Sequence, residues 1–201
     1  DKDFKGYIFD LGGPTANMYG YECRKKLKKG ACPDKRCLFP KICTSLDPDH
    51  SPQIRLIRKL ERLPGIKKVF INSGIRYDLI LNDKKHGNAY LEKLTQDNVS
   101  GQMKVAPEHT EKRVLSLMGK QGIDDLLAFK EAFDRLSKQS DKKQFLTYYL
   151  IAAHPGCDLG DMTRLKKFTS EKLNINPEQV QIFTPTPSTF STLMYYTGLE
   201  I

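Results

Sequence analysis

Four cysteines, Cys23, Cys32, Cys37 and Cys43, fall within the segment CRKKLKKGACPDKRCLFPKIC, and the chain holds only one more, Cys157. Four soft ligands are what a tetrahedral Zn2+ site or an iron–sulfur cluster requires. The intervals of eight, four and five residues give one C-x4-C, Cys32 to Cys37, and no second knuckle to pair with it, so the spacing matches no zinc ribbon. The segment therefore admits a metal or cluster site or reduced structural thiols. A disulfide framework is disfavoured, because no apolar leader with a cleavage pattern marks the sequence as secreted. The expected setting is the cytoplasm.

The same segment carries eight Lys or Arg against one acid, Asp34, and supplies most of the chain's net charge of +9. Such a basic loop is either a solvated surface or a seat for RNA or another anionic molecule. There is no Trp, and no aromatic ladder interleaves the basic residues, so a stacking platform for single strands is not evident. No apolar run approaches the roughly 20 residues that span a bilayer, which excludes a membrane partner of that kind. At 201 residues and 39% hydrophobic content, one domain over 1–201 with a single core is the expectation. The cysteine-rich basic loop, 21–46, would be inserted after the first strand.

Other reactive side chains stand where apolar runs stop. GYIFD (6–10) ends in Gly12-Gly13-Pro14-Thr15, and KKVFINSG (67–74) runs into Arg76 and Asp78. GQMKVAP (101–107) carries Lys104 and leads to Glu108-His109. QFLTYYLIAA (144–153) closes on His154-Pro155-Gly156, and VQIFTP (180–185) on Thr184 to Pro187. These runs have the length and flanking Gly/Pro of strands. Between them lie helical patterns. Ile54, Ile57, Leu60 and Leu63 make a stripe over 51–63, with Ser51 or Asp49 as N-cap and Pro52 in the first turn. Further helices are expected over 86–98, after Thr110, over 122–139 with Leu126, Leu127, Phe133 and Leu136 inward, and over 159–173 with Leu159, Met162, Leu165 and Phe168 inward. QFLTYYLIAA is apolar nearly throughout, as expected of a parallel strand covered on both faces. Strands alternating with helices specify an α/β fold with a parallel sheet, open or closed into a barrel. All the strand ends then share the face where such proteins bind ligands.

Taken together, IFDLGGPTANMYG (8–20), the Cys23–Cys43 segment, FINSGIRYDLIL (70–81), SGQMKVAPEHTEKRVLSLMGK (100–120), YLIAAHPGCDL (149–159) and VQIFTPTPSTFSTLMYYTGLE (180–200) resemble the radical S-adenosylmethionine enzymes, most closely the YgiQ-type subgroup. The resemblance covers most of the chain. It implies a partial TIM-type (β/α)6 barrel, a [4Fe–4S] cluster held by a C-x3-C-x2-C loop after the first strand, S-adenosylmethionine at the C-terminal ends of the strands, and an electron donor such as flavodoxin or ferredoxin. No C-x3-C-x2-C occurs here, so Cys23, Cys32, Cys37 and Cys43 are not the radical-generating ligands; a Zn2+ or auxiliary cluster site remains open for them. On this alignment GYIFD is the second barrel strand, and the chain looks like about five of the six strands of a longer protein, inactive alone. Its opening on DKDFKGYIFD and its end at TGLEI suit such a piece.

The resemblance also implies roles. Gly12-Gly13-Pro14 occupies the place of a Gly-Gly-Glu-like turn that meets the cofactor's amino group. Pro14 replaces the Glu, which leaves backbone carbonyls or Thr15 for the contact. Glu108 falls where the family contacts the ribose or amino acid moiety, Arg76 or Lys104 would pair the carboxylate, and His154-Pro155-Gly156 would lie beside the adenine. His154 is equally a packed turn histidine. Cys157 reads as structural. The residue-level alternative to all this is a metal-dependent nucleic-acid-binding module centred on the cysteine loop.

Overall fold

The computed structural model describes residues 2–13, 15–33 and 36–199. Its strands are β1 (Tyr7–Ile8), β2 (Lys68–Val69), β3 (Gln102–Glu108), β4 (Phe145–Ala152) and β5 (Gln181–Ile182). Its helices are α1 (Arg24–Lys29), α2 (Ser51–Glu61), α3 (Tyr77–Asn82), α4 (Gly87–Lys93), α5 (Lys112–Leu117), α6 (Asp124–Gln139), α7 (Leu159–Phe168) and α8 (Phe190–Thr197). Single π-helical turns extend α4 over Leu94–Asn98 and α7 over Thr169–Leu173. The fold is α/β with parallel strands, in a two-stranded sheet β1-β2 and a three-stranded sheet β3-β4-β5.

The chain divides into two compact units. The first comprises Asp1–Pro33, Thr44–Val105 and Asp125–Thr147. There β1 and β2 pair in parallel, Tyr7 opposite Lys68 and Ile8 opposite Val69. The pairing continues past both strands, with Leu11 N donating to Phe70 O at 2.8 Å. Beyond β2, Ile75 N donates to Lys104 O at 2.8 Å, and Ile75 bridges Val105 in parallel. β3 alternates as period-2 geometry demands, with Met103 and Val105 buried and Gln102 and Lys104 exposed. The core of this unit is built from Ile54 and Ile57 of α2, Leu79 of α3, Tyr90 and Leu91 of α4, and Leu126, Phe129 and Phe133 of α6, all buried. Each such aliphatic or aromatic side chain contributes on the order of 1.5–3 kcal/mol. Leu127 and Leu136, expected inward on α6, are only half-buried, while Phe129 is fully so.

The second unit comprises Asp34–Cys43, Ala106–Asp124 and Tyr148–Ile201. β4 and β5 pair in parallel, Ile151 opposite Gln181 and Ala152 opposite Ile182, and Phe183 N donates to Ala152 O at 2.9 Å. α7 starts at a capping box, in which Asp161 N donates to the Asp158 carboxylate at 2.8 Å and Asp158 N to that of Asp161 at 3.0 Å. Asp161 also receives Arg113 at 2.5 Å and Arg164 at 2.6 Å, and Arg164 reaches Glu111 at 2.6 Å. This acid–base lattice fastens α7 to the loop before α5.

Three expectations are corrected. β4 is not covered on both faces: Leu146 and Leu150 are buried, but Phe145 is 59% and Tyr149 49% exposed among the described residues. Leu159 is 83% exposed, because as the first residue after the Asp158 cap it lies outside the stripe that buries Leu165. The N-cap position of α2 is His50, while Asp49 instead accepts from Ser51 N at 2.8 Å.

Candidate functional site

In the first unit, parallel pairing brings the residues after β1 and after β2 to one end. Asp10 organises them. Its Oδ1 accepts from Gly12 N at 2.8 Å, Asn72 N at 3.1 Å and Ser73 N at 3.3 Å, and its Oδ2 accepts from the Ser73 hydroxyl. Burial pushes this carboxyl up. The Ser73 hydroxyl and the three main-chain N–H groups outweigh that and hold it below its ordinary value, since each bond favours the charged form. A Cβ added to Gly12 would lie 2.6 Å from the Ser73 Cβ and 2.9 Å from Asp10 Oδ1, so the close approach of the two strand ends requires glycine there. At Gly13 nothing lies within 4 Å of such a Cβ, and the main chain can be approached. Thr15 is half-buried beyond the turn. Pro14 lies outside the described residues.

A second set of bonds fixes the segment after β2. Asn17, fully buried, receives Arg76 N on its Oδ1 at 2.8 Å and donates through Nδ2 to Arg76 O at 2.9 Å. The Arg76 guanidinium then turns to Asp78, with Nε at 2.9 Å from Oδ1 and an ion pair to Oδ2. Arg76 is therefore engaged within its own loop, whereas Lys104, on the strand beside it, is exposed.

Behind Asn17 sits a network that sequence reasoning missed. His50 is fully buried, its Nδ1 2.8 Å from Asp83 Oδ2 and its Nε2 3.1 Å from Asn17 Nδ2. Tyr21 OH lies 3.0 Å from His50 Nε2, and Tyr90 stacks on the ring at 4.5 Å between centroids. With Nδ1–H given to Asp83, Nε2 accepts from Asn17, which describes a neutral ring. Burial holds the His50 pKa below its ordinary value against the opposing pull of Asp83. Burial pushes the Asp83 carboxyl up, and the bonds from His50 N, His86 N and the His50 ring bring it below its usual range. The signals were a histidine directly before Ser51-Pro52, which begin α2, and an Asn in LGGPTAN. Neither motif names the partner.

In the second unit, Glu108 has φ +66° and its Oε1 is 2.9 Å from Lys120 Nζ, which also donates to Ala106 O at 2.7 Å. His154 is buried, Nδ1 2.8 Å from Pro155 O and Nε2 2.8 Å from the Ser191 hydroxyl. Its pKa is lowered by burial, as befits a ring that donates from one nitrogen and accepts at the other. Beside that turn, Ala153, Pro155, Gly156, Leu117, Met194 and Tyr195 line a cavity of about 300 Å3. His109, fully buried, accepts Glu111 N at Nδ1 (3.0 Å), so its proton sits on Nε2, 3.6 Å from Cys157 Sγ. Burial lowers the His109 pKa and raises that of Cys157. The two form a neutral donor and acceptor, not an activated thiolate.

The cysteine segment is distributed. Cys23 is the N-cap position of α1, and Cys32 follows that helix, both in the first unit. Cys37 and Cys43 lie in the second unit, where Cys43 N donates to Cys37 O at 2.8 Å. No disulfide joins any of the five cysteines. Among the described residues no group of three or more His, Cys, Asp or Glu stands at metal-binding distance, and no helix is long and apolar enough to cross a membrane. The chain's second unit holds its part of the loop through Arg36, whose guanidinium lies 4.2 Å above the Phe190 ring and against Gly119, and through Gln121, which donates to Leu38 O at 3.1 Å.

No family model matches the chain, and no solved structure matches it significantly. Among curated proteins it is 62% identical over 194 residues to a UPF0313 protein of Fusobacterium nucleatum, covering 96% of this chain and 34% of that one. It is 48% identical over 198 residues to a UPF0313 protein of Clostridium perfringens (98% and 30% covered) and 47% over 198 residues to one of Methanosarcina mazei (98% and 31%). The chain spans about a third of the length of these relatives. Its homologues are UPF0313 proteins.

Proposed function

We propose that this chain is part of the catalytic barrel of a radical S-adenosylmethionine iron–sulfur enzyme of the YgiQ type, binding the cofactor at the C-terminal ends of its strands. The observation that carries the reading is the Asp10-anchored turn. Parallel strands deliver Gly12, Gly13 and Ser73 to one end of the first unit, and Asp10 takes up the turn's N–H groups. The approachable main chain at Gly13 suits a cofactor ammonium, which needs only acceptors. Lys104 is the exposed cation that suits a carboxylate in this unit; Arg76 keeps its pairing with Asp78 and shapes the loop. In the second unit, the recess beside His154-Pro155-Gly156, walled by Met194, Tyr195 and Leu117, suits the flat apolar face of an adenine. Glu108, held by Lys120, suits a ribose hydroxyl. His154 positions this turn through Pro155 and Ser191 and does not itself need to touch the cofactor.

The cluster ligands are not among this chain's residues, since no C-x3-C-x2-C occurs in it. When bound, the cluster would supply the electron that cleaves the cofactor's sulfonium, drawn from a flavodoxin- or ferredoxin-like donor. This chain's share is to orient the cofactor. The test is to reconstitute the full-length protein without oxygen, add reductant and S-adenosylmethionine, and assay 5'-deoxyadenosine. Its formation is expected. A reducible cluster that never cleaves the cofactor would sink the reading.

A further inference from the structure

We propose that α1 docks the phosphate backbone of a nucleic-acid duplex. The inference stands apart from the enzymatic reading and concerns a surface that reading does not use. α1 reads RKKLKK: Arg24, Lys25, Lys26, Lys28 and Lys29 are all exposed, and no residue of the helix is buried. Among the described residues none of these five cations forms an ion pair. Among the described residues the fold thus buries no side chain of α1 and pairs none of its cations.

The helix is also set against itself. Its first turn holds Arg24 and Lys25 and no acid, which puts positive charge at the positive end of the helix dipole. Arg24 with Lys28, and Lys25 with Lys29, are like-charge neighbours one turn apart. A polyanion laid along α1 relieves both repulsions at once.

Charge density selects among polyanions. Six helical residues span about 9 Å at about 1.5 Å each, so five cations amount to one per about 1.8 Å. A nucleic-acid duplex carries one negative charge per about 1.7 Å of its axis. An acidic peptide, even with every residue charged, offers at most one per about 3.3 Å when extended. A membrane surface would require an apolar face to bury, and α1 has only Leu27. α1 contains no aromatic residue on which an unstacked base could lie, and its Arg and Lys side chains are ordinary partners of phosphate oxygens. Duplex phosphates are what remain.

The test titrates full-length protein, without cofactor or reductant, against labelled short duplex RNA and duplex DNA of equal length over a range of salt. Because phosphates alone are read, both duplexes should bind. Each cation on a phosphate adds about 0.9 to the slope of log K against log salt. K25Q/K28Q/K29Q should therefore lower the slope by about 2.7 and weaken binding by roughly tenfold or more at low salt. The charge-matched control K138Q/K166Q/K172Q removes three other exposed lysines and should leave the slope unchanged. Equal losses in both triple variants would reduce the effect to bulk charge and overturn the proposal. So would loss of poly-glutamate or anionic-vesicle binding with duplex binding intact. Failure of 5'-deoxyadenosine formation would bear only on the enzymatic reading, since no turnover enters this measurement.

Discussion

Gly12 and Gly13 are neighbours in sequence, yet the structure asks different things of them. The Cβ of Gly12→Ala would collide with the Ser73 Cβ, forcing the strand ends apart at a cost of about 1–3 kcal/mol. Gly13→Ala meets open space and should stay within about 0.5 kcal/mol of the parent. Denaturant midpoints of the two variants check this directly, and equal midpoints would contradict the geometry. The buried histidines make a second residue-scale prediction. His50, His109 and His154 all have folded pKa values below the ordinary one, so below about pH 6.5 the unfolded chain binds more protons than the folded one. Their contribution is whole above that pH and is lost as pH falls toward the lowered folded values. Stability measured from about pH 7.5 down to 5.5, the range in which an unperturbed histidine titrates, should decline as the pH falls. His50→Gln should make that decline shallower.

At the scale of elements, the strands in GYIFD, KKVFINSG and GQMKVAP, and the helices α2, α6 and α7, are legible because period 2 and period 3.6 are local consequences of backbone geometry. α7 shows where the pattern misleads. Leu159 and Leu165 were expected on one buried face, but only Leu165 is buried. Leu165→Ala should therefore cost about 2–5 kcal/mol, while Leu159→Ala should be nearly silent. Thermal melts of the pair decide it. α8 is not legible as a helix in the sequence, since FSTLMYYT has no strongly polar face to set a period. Its caps were nonetheless in the sequence: Thr189 accepts from Thr192 N at 3.2 Å, and Gly198 ends it at φ +70°. α1 lacks any apolar stripe, and with Gly30, Pro33 and Pro40 following it the whole segment reads as loop.

For the molecule as a whole, the cysteine loop is divided. Cys23 and Cys32 belong to one unit, Cys37 and Cys43 to the other. If the cofactor is cleaved by a cluster bound elsewhere, replacing all four by Ser in the full-length protein should leave 5'-deoxyadenosine formation intact, while metal and sulfide analysis of the same variant reports whether the loop held zinc, iron or nothing. Abolished cleavage with the primary cluster still reducible would give the loop a part in the chemistry. The sequence by itself determined the α/β alternation, the parallel sense of the strands and the polar character of their ends, because these depend on residues near one another in the chain. Only the tertiary structure decided that Asp10 grips Asn72 and Ser73 across sixty-two and sixty-three residues, that Arg76 is spent on Asp78, and that His50 is buried against Asp83 thirty-three residues away. Which donor meets which acceptor follows from packing, and no local periodicity encodes it.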